Sequence, residues 1–281
     1  MRLDSFRLER GERKRRSPWT GLASHDDDRS TLGHVHAPSF PPPLLHRVTV
    51  LRVRDVAKRF GETWALRGAS FTVHRGEVLG LIGPNGSGKT TLLECLAGLL
   101  ATDGGEVHVN GSALAPSDRR TALFYMPDGI VPWSDQKVGW VLSFSAALQR
   151  APALRVPEVR RELALDGLAH RRVGTLSKGQ RRRLLLAIAL LTPQPLLLLD
   201  EPFDGLDLRQ TREVSTLLRR VAAEGRTLVL SIHQLSDAMK VCDRLVLLSD
   251  GRAVGEGSLA ELQMHAGLPG ASLEEVFLAL T

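Results

Sequence analysis

The residue types best suited to chemistry lie in one glycine-rich stretch. It fits the pattern G-x-x-x-x-G-K-[ST] in full and consists of Gly83, Pro84, Asn85, Gly86, Ser87, Gly88, Lys89 and Thr90. Glycines let a backbone curl around an anion, so that successive N–H groups point inward. The apolar run EVLGLI precedes the stretch and the helical pattern KTTLLECLAGLL follows it, which makes a chance glycine-rich turn the weaker reading. We therefore predict a phosphate site that extends to Thr91.

Four side chains in two motifs are suited to phosphate chemistry. Lys89 is predicted to reach the β- and γ-phosphates of a nucleotide, and the Thr90 hydroxyl is predicted to bind Mg²⁺. Asp200 ends the apolar run LLLLD, where α/β sheets bind ligands, so it is predicted to hold Mg²⁺ as well. Taken alone, Asp200 would read as a strand-end cap. Glu201 follows it and is suited to orient or deprotonate an attacking water.

Strand patterns alternate with helical patterns from residue 48 onward. Strands are predicted at VTVLRVRDV, ASFTV, EVLGLI, EVHVN, ALFYM, LLLLD, RTLVLS and RLVLLS. Helices are predicted after the glycine-rich stretch, over RRLLLAIALL and from Asp207 to Ala223. Residues 136–172 are predicted to be mostly helical, with breaks at Pro152 and Pro157. The alternation predicts an α/β fold with a largely parallel sheet.

Composition excludes several classes of protein. The chain has 281 residues and two cysteines, too few for a disulfide scaffold or a four-cysteine zinc site. Its longest apolar run, from Leu184 to Leu191, is well short of the about 20 residues of a membrane span. Residues 1–47 lack hydrophobic periodicity and are predicted to be a disordered N-terminal extension. They carry +3 of the net charge of +6, so the rest is only mildly basic and no nucleic-acid partner is expected.

Further motifs resemble those of the ATPase subunit of an ATP-binding cassette (ABC) transporter. The segment LSKGQ resembles the family signature, usually LSGGQ, and precedes the strand that ends at Asp200. The segment from Phe203 to Asp207 resembles the D-loop, His233 resembles the switch histidine, and Phe60 resembles the aromatic residue that stacks on adenine. Together the motifs cover residues 48 to about 257. The signature consists of Leu176, Ser177, Lys178, Gly179 and Gln180.

The resemblance implies a fold and a mode of action. Residues 48–281 are expected to form a P-loop NTPase domain of the ABC type. It would combine a mostly parallel core sheet, an antiparallel β subdomain and a helical subdomain at about 129–180. Glu201 and His233 are expected to be catalytic. The signature is expected to act in trans, meeting the γ-phosphate of ATP held by a second copy, with Asp207 in the D-loop between them.

Two positions depart from the family pattern. Lys178 replaces the second glycine of the signature. After ALFYM, where the family has a glutamine that touches Mg²⁺, this chain reads Met126-Pro127-Asp128, and the Asp128 carboxylate is expected to take the metal role. The arginines at 181–183 are expected to form a solvated helix face, and Cys95 is expected to pack in the core.

The resemblance favours a transporter subunit that works with a separate membrane permease. Such a subunit would be cytoplasmic and peripheral at the inner face of the cell membrane. The alternative is a non-transport ABC ATPase acting on ribosomes or nucleic acid, but no second cassette, coiled-coil insert or zinc insert is present. A P-loop kinase or GTPase would leave the signature and His233 unexplained. Export is favoured because the segment from Leu273 to Leu278 resembles the last helix of efflux ATPases.

Overall fold

The computed structural model describes residues 48–152 and 154–281. The disorder predicted for residues 1–47 therefore lies outside the described residues. Within the described ranges, no helix combines the length and the hydropathy that a membrane span requires.

The described residues form a six-stranded sheet at the centre of the fold. Five of its strands are parallel, and the last strand along the chain pairs antiparallel with its neighbour at one edge. The strands lie in the order β10 (Arg252–Gly257), β9 (Arg244–Ser249), β3 (Val78–Ile82), β8 (Thr227–Ile232), β7 (Leu196–Asp200) and β6 (Leu123–Met126).

A second sheet in the described part of the chain has four antiparallel strands. Their order is β2 (Thr63–His74), β1 (Thr49–Phe60), β4 (Gly104–Val109) and β5 (Ser112–Ala113). A mostly parallel sheet joined to an antiparallel one confirms the predicted fold class.

Helices connect the strands and cover the central sheet. Ser177, Ser258 and Ser272 each accept a hydrogen bond from the third helical N–H, and the side chain at that position bonds back to the serine N–H. Each such capping box supports a helix start by about 1 kcal/mol. The helices are α1 (Lys89–Ala97), α2 (Val138–Leu148), α3 (Arg155–Glu162), α4 (Lys178–Leu191), α5 (Leu208–Ala223), α6 (Leu235–Val241), α7 (Leu259–His265) and α8 (Leu273–Leu280).

The region from 136 to 172 corrects one prediction. Pro152 lies between α2 and α3, as expected of a break. Pro157, in contrast, is the third residue of α3 and does not interrupt it. The N–H groups in the first turn of a helix have no intrahelical acceptor, so a proline there removes no hydrogen bond.

The central sheet has an apolar core on each face. Leu197 and Leu199 of β7 lie in a core with α2, α4 and α5, whereas Leu196 and Leu198 lie in a core with α1 and the antiparallel sheet. All residues of β3, β7 and β8 are buried, which agrees with their nearly continuous apolar sequences. Cys95 is part of the second core, as predicted, and burial raises the pKa of its thiol to about 11.

An arginine on β9 joins the two sheets. Arg244 donates hydrogen bonds to the Thr72 carbonyl of β2 at 3.3 Å, to Glu77 at 3.2 Å and to Glu256 of β10 at 2.6 Å. Glu256 in turn accepts hydrogen bonds from the Thr72 N–H at 3.1 Å and hydroxyl at 2.9 Å. The guanidinium helps to stabilise the almost fully buried Glu77, which also accepts a hydrogen bond from the His74 N–H at 2.6 Å.

We expect Arg244→Met to destabilise the protein substantially. The substitution removes the guanidinium that stabilises the buried Glu77 and links β2, β9 and β10, at a cost of about 3 kcal/mol in the free energy of unfolding. Urea unfolding followed by circular dichroism measures the change. The matched control is Arg209→Met, which removes only an exposed pair with Glu213 and should cost about 0.5 kcal/mol or less. Equal effects of the two substitutions would contradict the role of Arg244.

Candidate nucleotide-binding and catalytic site

The glycine-rich loop joins β3 to α1, and two of its glycines are required by space. A Cβ atom on Gly83 would lie 2.3 Å from the Leu248 carbonyl oxygen. A Cβ on Gly88 would lie 2.6 Å from the Ala65 carbonyl oxygen, and Gly88 has a left-handed φ of 101°. The loop therefore packs closely against the end of β9 and the start of β2, while residues 84–86 in its middle are exposed.

The Lys89 side chain folds back into this loop. Its ammonium donates hydrogen bonds to the Gly83 carbonyl at 2.7 Å and to the Pro84 carbonyl at 3.1 Å. Burial lowers the pKa of Lys89, and the nearby Glu201 and Asp200 carboxylates oppose that shift. The cation is thus held inside the loop, where a phosphate oxygen can replace the carbonyls as its partner.

Asp200 is fully buried at the end of β7 and is the acceptor around which the site is arranged. The Thr90 hydroxyl donates to its Oδ2 at 2.9 Å, and the Tyr125 hydroxyl lies 3.4 Å from the same oxygen. The Ser231 hydroxyl donates to Oδ1. Burial, and then the Asp200 charge, raises the pKa of Tyr125, so its hydroxyl stays a proton donor.

Two of the predicted magnesium ligands, Thr90 and Asp200, lie next to each other. Thr90 and Asp200 supply a hydroxyl and a carboxylate within one hydrogen bond of each other, and such hard oxygen donors suit Mg²⁺. At sites of this kind substrate phosphates and waters complete the shell. Asp128, the third predicted ligand, accepts a hydrogen bond from Arg182, so it would have to share its carboxylate between that arginine and the metal.

Glu201 and His233 are in direct contact. His233 follows β8, and its Nδ1 lies 2.7 Å from Glu201 Oε2. Glu201 has a left-handed φ of 50°, a conformation that costs a residue with a side chain about 1–3 kcal/mol and is concentrated at functional sites. A cavity of about 400 Å³ opens beside the pair and is also lined by Asp204 and Asp207.

Arg182 corrects the expectation of a solvated arginine face on α4. Only 4% of this residue is exposed. Its guanidinium donates to the Asp200 carbonyl oxygen at 3.1 Å and to the Asp128 carboxylate, and it lies 3.5 Å from Asp204. Three consecutive arginines indicated a helix face in contact with solvent. The rotation of α4 against the sheet instead turns Arg182 inward.

The signature packs against the D-loop of its own chain. A Cβ atom on Gly179 would lie 2.5 Å from the Gly205 carbonyl oxygen. The Lys178 ammonium forms an ion pair with Asp204 at 2.7 Å. Asp207 accepts a hydrogen bond from the Gln210 N–H at 2.8 Å and so caps α5. The lysine that replaces a glycine of the family signature is therefore engaged by the D-loop.

Two aromatic residues lie at the hairpin between β1 and β2. Phe60 ends β1 and is half exposed, with the Lys58 ammonium 5.5 Å from its ring centroid. Trp64 was not predicted; it is also exposed and immediately precedes Ala65, whose carbonyl contacts the glycine-rich loop. The hairpin therefore presents aromatic surface next to the phosphate site.

The predicted residues fall into two groups in the structure. One group at the ends of β3, β7 and β8 comprises Lys89, Thr90, Asp200, Glu201 and His233. The signature belongs to the other group, and within the described residues no hydrogen bond or ion pair links it to the glycine-rich loop.

Sequence reasoning missed Ser231, Tyr125 and Arg182. Ser231 lies opposite Asp200 in the register of β7 and β8. A polar residue near the end of an apolar strand is a weak signal that would have singled it out only once the strand order was known.

Comparisons with known proteins identify the family of this chain. A family profile described as "ABC transporter" matches residues 66–204. The Nod factor export ATP-binding protein I of Burkholderia lata is 38% identical over 222 residues, which cover 75% of this chain and 71% of that protein. This chain belongs to the ABC transporter family.

Other members show the same likeness. The sulfate/thiosulfate import ATP-binding protein CysA of Methylococcus capsulatus is 35% identical over 230 residues, covering 78% of this chain and 66% of that protein. A solved structure of the ATP binding subunit of an ABC transporter superposes with a TM-score of 0.76 at 31% identity, over 83% of this chain and 99% of that one. The predicted ABC resemblance is confirmed, and the chain is an ATP-binding subunit with the fold of an ATPase.

We expect Asp128→Asn to raise the Mg²⁺ concentration needed for half-maximal ATP hydrolysis by about 10-fold, because a hard charged ligand would be lost. ATP binding itself should persist, since Lys89 and the loop are unchanged. A Mg²⁺ titration of the hydrolysis rate measures the shift, with the exposed Asp135→Asn as the control. Unaltered Mg²⁺ dependence would remove Asp128 from the metal shell.

Proposed function

We propose that two copies of this ABC subunit bind Mg-ATP between them and hydrolyse it to drive export by a separate membrane permease. The observation that carries the proposal is the meeting of Lys89, Thr90, Asp200, Glu201 and His233 at the ends of neighbouring parallel strands. In open α/β sheets, ligands bind at this edge. Phosphoryl transfer to water uses groups of these kinds. Lys89 supplies a cation, Thr90 and Asp200 supply a metal-ligating pair, and Glu201 supplies a carboxylate with a histidine partner.

Each group has a defined part in hydrolysis. The glycine-rich loop and Lys89 bind the phosphates, and Mg²⁺ held by Thr90 and Asp200 would supply neutralising charge. The Glu201 carboxylate accepts a proton from water as the water oxygen bonds to the γ-phosphorus. The bond from that phosphorus to the β–γ bridging oxygen breaks, and ADP leaves. His233 orients Glu201 and the γ-phosphate through its ring nitrogens.

The second copy completes the site. Ser177 and Gly179 begin α4, whose N-terminal N–H groups favour an anion. In the proposed dimer, this end faces the γ-phosphate held by Lys89 of the other copy, with Asp207 between the two sites. Phe60 stacks on the adenine. ATP then holds the copies together, and hydrolysis releases them.

An exposed aromatic patch supports a permease partner. It consists of Trp133, Trp140 and Phe144, which are 46%, 45% and 39% exposed. The Trp140 and Phe144 rings stack with centroids 5.0 Å apart, and Trp133 stands edge-on to Phe144 at 5.3 Å. Contiguous exposed aromatic surface is typical of binding sites for other proteins. The patch lies on α2 and the loop before it, close in sequence to Asp128.

The direction of transport is inferred from relatives. The Burkholderia lata protein is named for export and the Methylococcus capsulatus protein for import. The export relative is the more similar of the two, which favours export for this chain. A permease partner would place the chain in the cytoplasm, at the inner face of the membrane.

We expect Glu201→Gln to bind ATP without hydrolysing it. Glutamine keeps the shape and hydrogen bonding of glutamate but cannot accept the proton, so the rate should fall about 10²–10⁴-fold. ATP should then accumulate at the interface and hold two copies together. Phosphate release and size-exclusion chromatography with Mg-ATP measure the two effects.

The control for the dimer is the double variant Glu201→Gln with Lys89→Ala. It lacks the cation that binds the phosphates and should stay monomeric with Mg-ATP. Undiminished hydrolysis by Glu201→Gln would refute the assignment of the base. Lost hydrolysis with no dimer would count against the two-copy site.

We expect the aromatic patch to be required for membrane association. The double variant Trp140→Ser with Phe144→Ser is expressed in its source cells in place of the wild-type chain. Its membrane-bound fraction should be about 10-fold or more lower than that of the wild type, because truncated aromatic anchors weaken interfaces strongly. ATP affinity should not change. Met264→Ser alters an even more exposed apolar residue on α7 and serves as the control. An unchanged membrane-bound fraction would exclude the patch as the docking surface.

A further inference from the structure

The peptide group between Asp200 and Glu201 is held at both of its polar atoms. Arg182 donates a hydrogen bond to its carbonyl oxygen at 3.1 Å. Its N–H donates to the Ser231 hydroxyl at 2.9 Å. One side of the peptide is thus fixed by helix α4 and the other by strand β8. Rotation of this peptide plane would require both hydrogen bonds to break.

The residue after this peptide group is Glu201, and in the proposed function hydrolysis depends on the direction of its carboxylate. Glu201 has a φ of 50°, which a residue with a side chain adopts only when its surroundings impose it. In that conformation its carboxylate reaches His233 at 2.7 Å. Relaxation of the backbone to an ordinary φ would swing the carboxylate away. The two hydrogen bonds to the peptide oppose this relaxation, together with the hydrogen bond that the Glu201 carbonyl accepts from the Asp204 N–H at 3.1 Å.

Arg182 is itself held by acidic groups from two other segments. Asp128, from the loop after β6, accepts a hydrogen bond from its guanidinium. Asp204 of the D-loop lies 3.5 Å from the guanidinium and also pairs with Lys178 of the signature at 2.7 Å. A buried guanidinium needs such partners, because an unpaired charge is costly away from water. Arg182 therefore connects the strand end, the loop after β6, the D-loop and the signature helix.

We propose that Arg182 is a positioning residue for hydrolysis, which acts by fixing the Asp200–Glu201 peptide so that the Glu201 carboxylate is directed at the attacking water. Asp128 and Asp204 set the guanidinium in place for this task. The inference rests on the proposed role of Glu201 as the base. It also gives Asp128 a function that does not depend on binding the metal.

The experiment compares Arg182→Met, Arg182→Lys and a matched control. Arg183→Met is the control because Arg183 is the next residue of α4 and donates to the backbone carbonyls of Leu163 and Ala164, away from the site. Arg182→Met should lower kcat about 10–10²-fold, the cost of misplacing a reacting group by about 1 Å. ATP affinity, measured by calorimetry, should stay within about 2-fold, since the loop residues are untouched.

Arg182→Lys keeps the charge and one donor nitrogen and should recover part of the lost kcat. It also keeps the test decisive if Arg182→Met fails to fold, which thermal unfolding reports. A loss of ATP affinity that matches the loss of kcat would indicate a general structural role and overturn the proposal. Unchanged kcat in both variants would overturn it as well.

A second comparison asks whether Arg182 acts through Glu201. Residues that act as a unit show strongly non-additive effects on rate. In the Glu201→Gln background, Arg182→Met should therefore lower the residual rate by less than about 2-fold. The same factor in both backgrounds would show that Arg182 acts elsewhere. Full activity of Glu201→Gln alone would instead refute the base assignment, so the two failures are distinguishable.

Discussion

The buried carboxylate of Asp200 is the interaction on which the rest of the site depends. A negative charge without access to water is tolerated only where donors surround it, and here the donors are hydroxyls from the start of α1, the end of β8 and β6. Those hydrogen bonds fix the distance between the glycine-rich loop and the neighbouring strands. The same oxygen atoms are suited to a magnesium ion, so in the proposed function the group that organises the fold here would also serve the chemistry.

From this point, short contacts connect the glycine-rich loop, Glu201, His233, the D-loop and the signature of this ABC subunit. Glu201 follows Asp200 and contacts His233, while Arg182 ties the intervening peptide to the D-loop and to the loop after β6. Lys178 extends the connection to the signature. In the proposed dimer, this chain of contacts, with Glu201 held in a strained conformation, would be suited to transmitting a change at the interface to the proposed base.

Local patterns predicted much of the fold. The glycine-rich loop, the strand that ends at Asp200 and the helix that begins after Ser177 are all encoded by residues adjacent along the chain. Pro157 shows the limit of such reasoning, since the same residue ends a helix in its interior and is harmless in its first turn. Whether a proline falls in the first turn depends on where the helix begins, and such boundaries are what local sequence patterns predict least well.

The sequence by itself determined which residues could bind phosphate, hold a metal and accept a proton, because those capacities belong to side-chain types and to spacings of a few residues. The tertiary structure alone decided that Ser231 meets Asp200 and that Arg182 points inward to the Asp200 carbonyl. Both contacts join residues from separate elements, through the order of the strands and the rotation of α4 about its axis. These depend on how whole apolar faces pack, a property that no short stretch of sequence contains.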